Sequence, residues 1–169
     1  MPRNSKGYTF IELSIVILLI GLMCAIAIPR FRYAILTDNL KKTTRQMVGI
    51  IKNLRTEAIR EQKVYILRFD LKTNSYRIES PAMTEEERMT SRERAIFLPA
   101  DVRILDIQLN GKRKKMSGEV TIRFNKKGYV QQSAIHLGAD DGRKFTLVLS
   151  PFLGSIKVLE KYREFENKL

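Results

Sequence analysis

The sequence is short of the side chains on which most catalysis depends. Its 169 residues include no tryptophan, a single histidine, His136, and a single cysteine, Cys24. One cysteine excludes an intramolecular disulfide, so the fold does not rely on an oxidising compartment. Cys24 lies in an apolar run and reads as a small helix residue. His136 sits in an alternating segment with no cysteine partner and no metal-ligand spacing around it, so it reads as structural. Asp140-Asp141-Gly142 lacks the alternating ligands of a calcium loop and reads as a solvated turn. A Gly-rich phosphate loop of the Walker type is absent as well. The sequence therefore predicts no enzyme, no metal and no cofactor.

Acidic residues are also scarce. Lys and Arg number 31 against 18 Asp and Glu, a formal charge of +13 with a pI near 10. Such a chain attracts polyanions, whether nucleic acid, acidic lipid headgroups or an acidic protein face, and charge alone does not choose among them. The length allows one modest domain and one accessory element.

What the chain does have is a long apolar run. Phe10 to Ile28 reads FIELSIVILLIGLMCAIAI, with Glu12 its only charged side chain, and it is long enough to cross a bilayer as a helix. It is a membrane span or a signal sequence. A secretory signal carries its small-residue cleavage site beyond the apolar stretch. Here the run ends at Pro29-Arg30, while the small residue, Gly7, precedes it and follows the basic Arg3 and Lys6. Cleavage at Gly7 would retain the helix.

These residues, KGYTFIELSIVILLIGLMCAIAIP from Lys6 to Pro29, resemble the N-terminal motif of type IV prepilins and type II secretion pseudopilins. The resemblance implies that a membrane-embedded prepilin peptidase cuts after Gly7 on the cytoplasmic side and N-methylates Tyr8, where relatives more often carry Phe or Met. Glu12 becomes the fifth mature residue and, by resemblance, sets the axial register during assembly by meeting the N-terminal amine of a neighbour or of its own chain. The plainer reading is a carboxyl that snorkels to the nearby interface. Gly21 and Pro29 are weak points of the helix; Pro29 removes a backbone donor and favours a kink. Energy for filament assembly would come from a separate ATPase.

Beyond Pro29 the pattern stays helical. Met47, Ile50, Ile51, Leu54 and Ala58 recur at three- and four-residue spacing, with Lys52, Asn53, Arg55 and Glu57 on the other face. One helix from about Thr9 to Gln62 is expected, apolar all round at first and amphipathic later. Strands follow at Val64–Asp70 and Ser75–Ser80, joined through Lys72-Thr73-Asn74. Pro81 to Arg94 interrupts them with Thr84-Glu85-Glu86-Glu87, a capping-box pattern that predicts a short exposed helix or a loop. Further strands are expected at Val102–Leu109, Glu119–Asn125, Tyr129–Leu137, Lys144–Leu149 and Gly154–Glu160, punctuated by Asn110-Gly111, Lys127-Gly128, Asp141-Gly142 and Ser150-Pro151. Lys161 to Leu169 reads as a charged tail with a final helical turn. The fold class is α+β: a long N-terminal helix, membrane-spanning in its first half, packed against a small antiparallel β-sandwich. The expected organisation is a cleaved leader over 1–7, a membrane or filament-core helix over 8–29, an amphipathic helix over 30–62 and a periplasmic β-rich domain over 63–169.

The C-terminal half is similar to the minor pseudopilin H and FimT family. Leu98 to Val102, Ile122 to Gly128 and Phe145 to Val158 carry this likeness, although Pro151-Phe152-Leu153-Gly154 departs from the commoner small polar turn. The resemblance implies a minor pseudopilin at or near the tip of a type II secretion pseudopilus. Its partners would be other pseudopilins or pilins, the prepilin peptidase, the inner-membrane assembly platform and the membrane itself. The alternative is a FimT-like minor type IV pilin, for pilus assembly or for DNA binding in transformation. Lys112, Arg113, Lys114 and Lys115 at a hairpin tip, with Lys126 and Lys127 at another turn, are the residues that would meet phosphates. A solvated lysine cluster protecting a sheet edge is the reading set against it, and DNA is not the favoured partner.

Overall fold

The computed structural model describes residues 10–35, 38–111, 114–151 and 155–164, with side chains over 26–35 set aside. Gly7, Tyr8, Lys112, Arg113 and Gly154 lie outside the described residues. The chain divides into two compact units, Met1–Asp38 and Asn39–Leu169.

In the first unit the α-helix α1 spans Phe10–Ile35 and runs through Gly21 and Pro29. Its side chains from Phe10 to Ala25 are exposed on every side, Phe10 at 86% and Met23 at 74%. Ser14 donates its hydroxyl to the Phe10 carbonyl at 2.9 Å, which satisfies a polar group inside the apolar run. A helix that is hydrophobic all round is stable only when lipid or other protein covers it. Among the described residues no helix is long and apolar enough to cross a membrane; those described side chains stop at Ala25, while the apolar sequence runs on through Ile28.

The second unit carries its own core. Helix α2, Asn39–Arg60, buries Leu40, Thr43, Thr44, Met47, Ile51, Leu54 and Ala58, a stripe at helical spacing. The helix expected to be continuous is thus described as two elements, with residues 36 and 37 outside the description. Eight strands and one short helix follow: β1 Tyr65–Asp70, β2 Ser75–Glu79, α3 Glu85–Glu93, β3 Ile96–Phe97, β4 Val102–Leu109, β5 Glu119–Phe124, β6 Ser133–Ala139, β7 Lys144–Leu149 and β8 Ile156–Leu159. They form two four-stranded antiparallel sheets, β3-β2-β1-β5 and β4-β6-β7-β8. Leu67, Phe69, Ile122 and Phe124 of the first sheet meet Ile107, Ile135, Leu137 and Leu147 of the second in one cluster with the stripe of α2. Each such side chain contributes about 1.5–3 kcal/mol on burial.

Local chemistry accounts for the connections. Thr84 and Glu87 form a complete capping box at the start of α3. Asn110 and Gly111, which follow β4, both have positive φ, 48° and 66°, the left-handed region that Asn and Gly tolerate best. Asn74 adopts φ 53° and ties the sheets together: its Nδ2 donates to the Val102 carbonyl at 2.6 Å and its Oδ1 accepts from Ile104 N at 2.9 Å. The C-terminal residues 161–164 are not helical, and the rest of the segment in which a final turn is expected, 165–169, lies outside the described residues. Residues 161–164 run as a strap over the second sheet, for a reason given by the side chains beneath them.

Candidate functional site

The exposed head of α1 is one candidate. Glu12 lies in its first turn, where a carboxylate favours the helix dipole, among exposed Phe10, Ile11, Leu13 and Ile15. Over Phe10–Ala25 Glu12 is the one charged side chain, so this exposed surface is apolar along its length and distinguishable at one level. At Gly21 an added Cβ would meet nothing within 4 Å, so nothing in the described chain demands glycine there.

The basic turns form the other sequence-derived candidate, and the structure divides them. Lys114 is half-buried, ion-paired with Glu164, and stands 4.9 Å from the centre of the Tyr162 ring. The Glu164 hydrogen bond, then that of Tyr162, holds its ammonium above the ordinary lysine range. Lys115 exchanges both backbone hydrogen bonds with Ile107, which covers part of the β4 edge, while its side chain is exposed. Lys126 and Lys127 are exposed in the turn after β5. That turn is locked from both sides. Asn125 Oδ1 accepts from the backbones of Lys127 and Tyr129, and Arg55 Nε of α2 donates to the Gly128 carbonyl at 2.8 Å. In sequence the two basic turns are separated by β5.

Sequence reasoning placed His136 in a strand as a structural residue, and it is fully buried. What it missed is the network around it. His136 Nδ1 lies 2.7 Å from Asp106 Oδ1, and Nε2 lies 2.8 Å from the Arg163 carbonyl oxygen. Both neighbours are acceptors, so the arrangement is fully satisfied only when both ring nitrogens donate. Tyr162 stacks on the imidazole, centroids 4.2 Å apart, and donates its hydroxyl to Asp106 Oδ2 at 2.8 Å. Thr146 donates to the Lys161 carbonyl and accepts from Arg163 N. Together these bonds pin the strap. Burial pushes the Asp106 carboxyl up, but hydrogen bonds from His136 and Tyr162 outweigh it and hold the group below the ordinary aspartate range.

A second polar constellation lies on the first sheet. Arg68 and Arg77 stand opposite one another across β1 and β2, an arrangement of like charges that is unfavourable alone. Glu79 and Glu119 separate them. Arg77 donates to both carboxylates at 2.7 Å, and Arg68 donates to both at 2.9 Å. Burial raises Glu79, yet Arg77 and then Arg68 overcome this and hold it low; Glu119 is lowered chiefly by Arg77. This ring is an ion-pair lattice without an open position for chemistry. Among the described residues no three His, Cys, Asp or Glu side chains cluster as a metal site would require.

Comparison with known proteins agrees with both halves of the chain. Residues 2–28 match the family model described as the prokaryotic N-terminal methylation motif. No curated protein matches the chain. Two solved structures of the minor pseudopilin EpsH from the type 2 secretion system of Vibrio cholerae are similar in fold at 13% identity. One gives a TM-score of 0.52, covering 73% of this chain and 98% of that one; the other gives 0.53, covering 77% and 99%. The chain therefore carries an N-terminal methylation motif together with a fold similar to that of EpsH.

Proposed function

We propose that this chain is a minor pseudopilin, a structural and non-enzymatic subunit at or near the tip of a type II secretion pseudopilus. The observation that carries the reading is the conjunction of a methylation motif over residues 2–28 with an EpsH-like fold in the same chain. Gly7 is then the cleavage position and Tyr8 the new, N-methylated terminus. Before assembly α1 is the single membrane anchor, with the β-rich domain in the periplasm; afterwards the same exposed apolar surface packs among the helices of neighbouring subunits. Glu12 sets the axial level, because a carboxylate in an apolar bundle costs about 2.5–3.5 kcal/mol at mid-membrane unless a cation meets it. Gly21 and Pro29 are the points at which the helix yields during assembly. The partners are other pseudopilins, the prepilin peptidase and the inner-membrane platform.

The FimT-like reading, with DNA at the basic turns, is supported less well. Lys114 is occupied by Glu164 and Tyr162.

The test is expression beside a prepilin peptidase, with mass determination of the mature N-terminus. A chain beginning at N-methylated Tyr8 is expected, and Gly7→Val is expected to leave an uncleaved membrane-bound precursor. Normal processing of Gly7→Val would overturn the reading. For Glu12→Ala, membrane insertion should persist while incorporation into filaments fails; unchanged incorporation would remove the register role.

A further inference from the structure

The outer face of the second sheet carries a row of three polar side chains. Asp106, His136 and Thr146 stand level across β4, β6 and β7, as the strand registers pair them. They are 1%, 0% and 0% exposed although the core lies on the opposite face. Residues 161–164 cover them, and of these four only Tyr162 is half-buried while the others are exposed. The strap is thus held by polar bonds to the row rather than by apolar burial, and a segment held in this way can open without unfolding the core.

One of those bonds depends on a proton. His136 Nδ1 faces Asp106 Oδ1 at 2.7 Å, and Nε2 faces the Arg163 carbonyl oxygen at 2.8 Å. A neutral imidazole donates from one nitrogen only. The bond to the carboxylate is charge-assisted and the stronger of the two, so it keeps the remaining proton on Nδ1. Nε2 then sets a lone pair against the Arg163 carbonyl oxygen, and the tie between strap and β6 becomes a repulsion. The other groups around the ring are Tyr162, stacked on it, and Lys114 and Lys144, which stand 4.9 and 5.8 Å from the centre of the Tyr162 ring. Lys114 is paired with Glu164, while Arg103 and Lys144 flank Gly138, the next outward position of β6. These cations oppose a charge on the imidazole, whereas the two acceptors touch its nitrogens directly.

We propose that residues 161–164 form a pH-sensitive latch, closed when His136 carries both ring protons and opened as the second proton leaves for solvent. Opening uncovers the row of Asp106, His136 and Thr146 and releases Lys114 from Glu164. The direction follows from the proton count: the closed latch holds a proton that the open one gives up, so closure is complete at low pH and is lost as pH rises. The inference stands apart from the secretion reading, since it concerns only the folded domain.

The chain's single histidine makes the test direct. The full chain in detergent micelles is titrated from about pH 6 to 9, around the ordinary histidine range, while the His136 ring proton resonance and the Arg163 amide exchange, corrected for its intrinsic pH dependence, are followed together. Arg163 protection should fall as the ring loses its proton, by up to about tenfold per pH unit, the limit for release of one proton. Both curves should share one midpoint, and protection at Ile135 in β6 should stay level. His136→Gln should flatten the Arg163 curve. Glu164→Gln, which removes the ion pair with Lys114 but leaves the ring, should keep it. Level Arg163 protection in the parent chain, two separate midpoints or an equal fall at Ile135 would overturn the proposal, and these readings need no variant to fold. Undiminished pH dependence in His136→Gln, or its loss in Glu164→Gln, would overturn it as well.

Discussion

Asp106 and His136 face each other across β4 and β6 because Leu105 is bulged out of the ladder between Ile104 and Asp106. Strict alternation from Val102 and Ile104 would turn Asp106 and Gln108 into the apolar core. The extra residue shifts the phase, so Ile107 points inward at 0% exposure and Asp106 points outward, opposite His136. Gly138 accommodates the bulge: an added Cβ there would approach the Leu105 side chain to 3.0–3.2 Å.

Replacement of Asp106 by alanine should therefore cost about 1–3 kcal/mol, because it removes the shared acceptor of His136 Nδ1 and the Tyr162 hydroxyl in a buried setting. Urea unfolding measures this. Hydrogen exchange should show faster exchange at Arg163 N, whose bond to Thr146 depends on the same strap. A loss below 1 kcal/mol would mean that the network contributes packing only.

Stability should fall in acid. Asp106, Glu79 and Glu119 are all held below their ordinary values of 3.8 and 4.5 in the folded state. Groups lowered in this way contribute stability that is fully present above the ordinary value and is lost as pH falls through the folded one. Thermal midpoints should be nearly level between about pH 7 and 5 and should drop below about pH 4. Glu79→Gln should lower the midpoint at pH 7 and reduce the acid dependence. An unchanged midpoint at pH 3 would contradict this assignment.

Gly128 has two reasons to be glycine. Its φ is 78°, and an added Cβ would lie 2.5 Å from Cδ1 of Ile59. Gly128→Ala should cost about 1–3 kcal/mol from backbone strain, with the contact added to it. Truncation of the neighbour in Gly128→Ala/Ile59→Ala should recover the contact portion alone, leaving the φ penalty in a double-mutant cycle. Full recovery would show that strain at this turn is negligible.

Asn74 joins the two sheets through one donor and one acceptor. Asn74→Asp keeps the shape but sets a carboxylate oxygen against the Val102 carbonyl, so a loss of about 1–3 kcal/mol is expected at neutral pH. Protonation of that carboxyl restores a donor, so the deficit should shrink as pH falls toward 4. Denaturant midpoints at two pH values test it.

Much of this protein is legible in the sequence because the relevant physics is local. The apolar helix carrying Glu12, the stripe Met47, Ile51, Leu54 and Ala58, the capping box of Thr84 and Glu87, and the turns at Asn110-Gly111 and Gly128 each depend on residues within one or two turns of chain. Most strand positions follow from alternation in the same way. Tertiary structure decided what alternation cannot encode. β1 pairs with β5, more than forty residues beyond it, and β4 pairs with β6; the choice of partner rests on which apolar faces close over α2. The bulge at Leu105 reverses the side that Asp106 faces, and only then do Asp106, His136 and Tyr162 meet. Lys114, read from sequence as one of four equivalent cations, is set apart by Glu164, fifty residues away. Charge and period reveal what a segment can do locally, whereas the partner of a charge is fixed by the packing of distant chain.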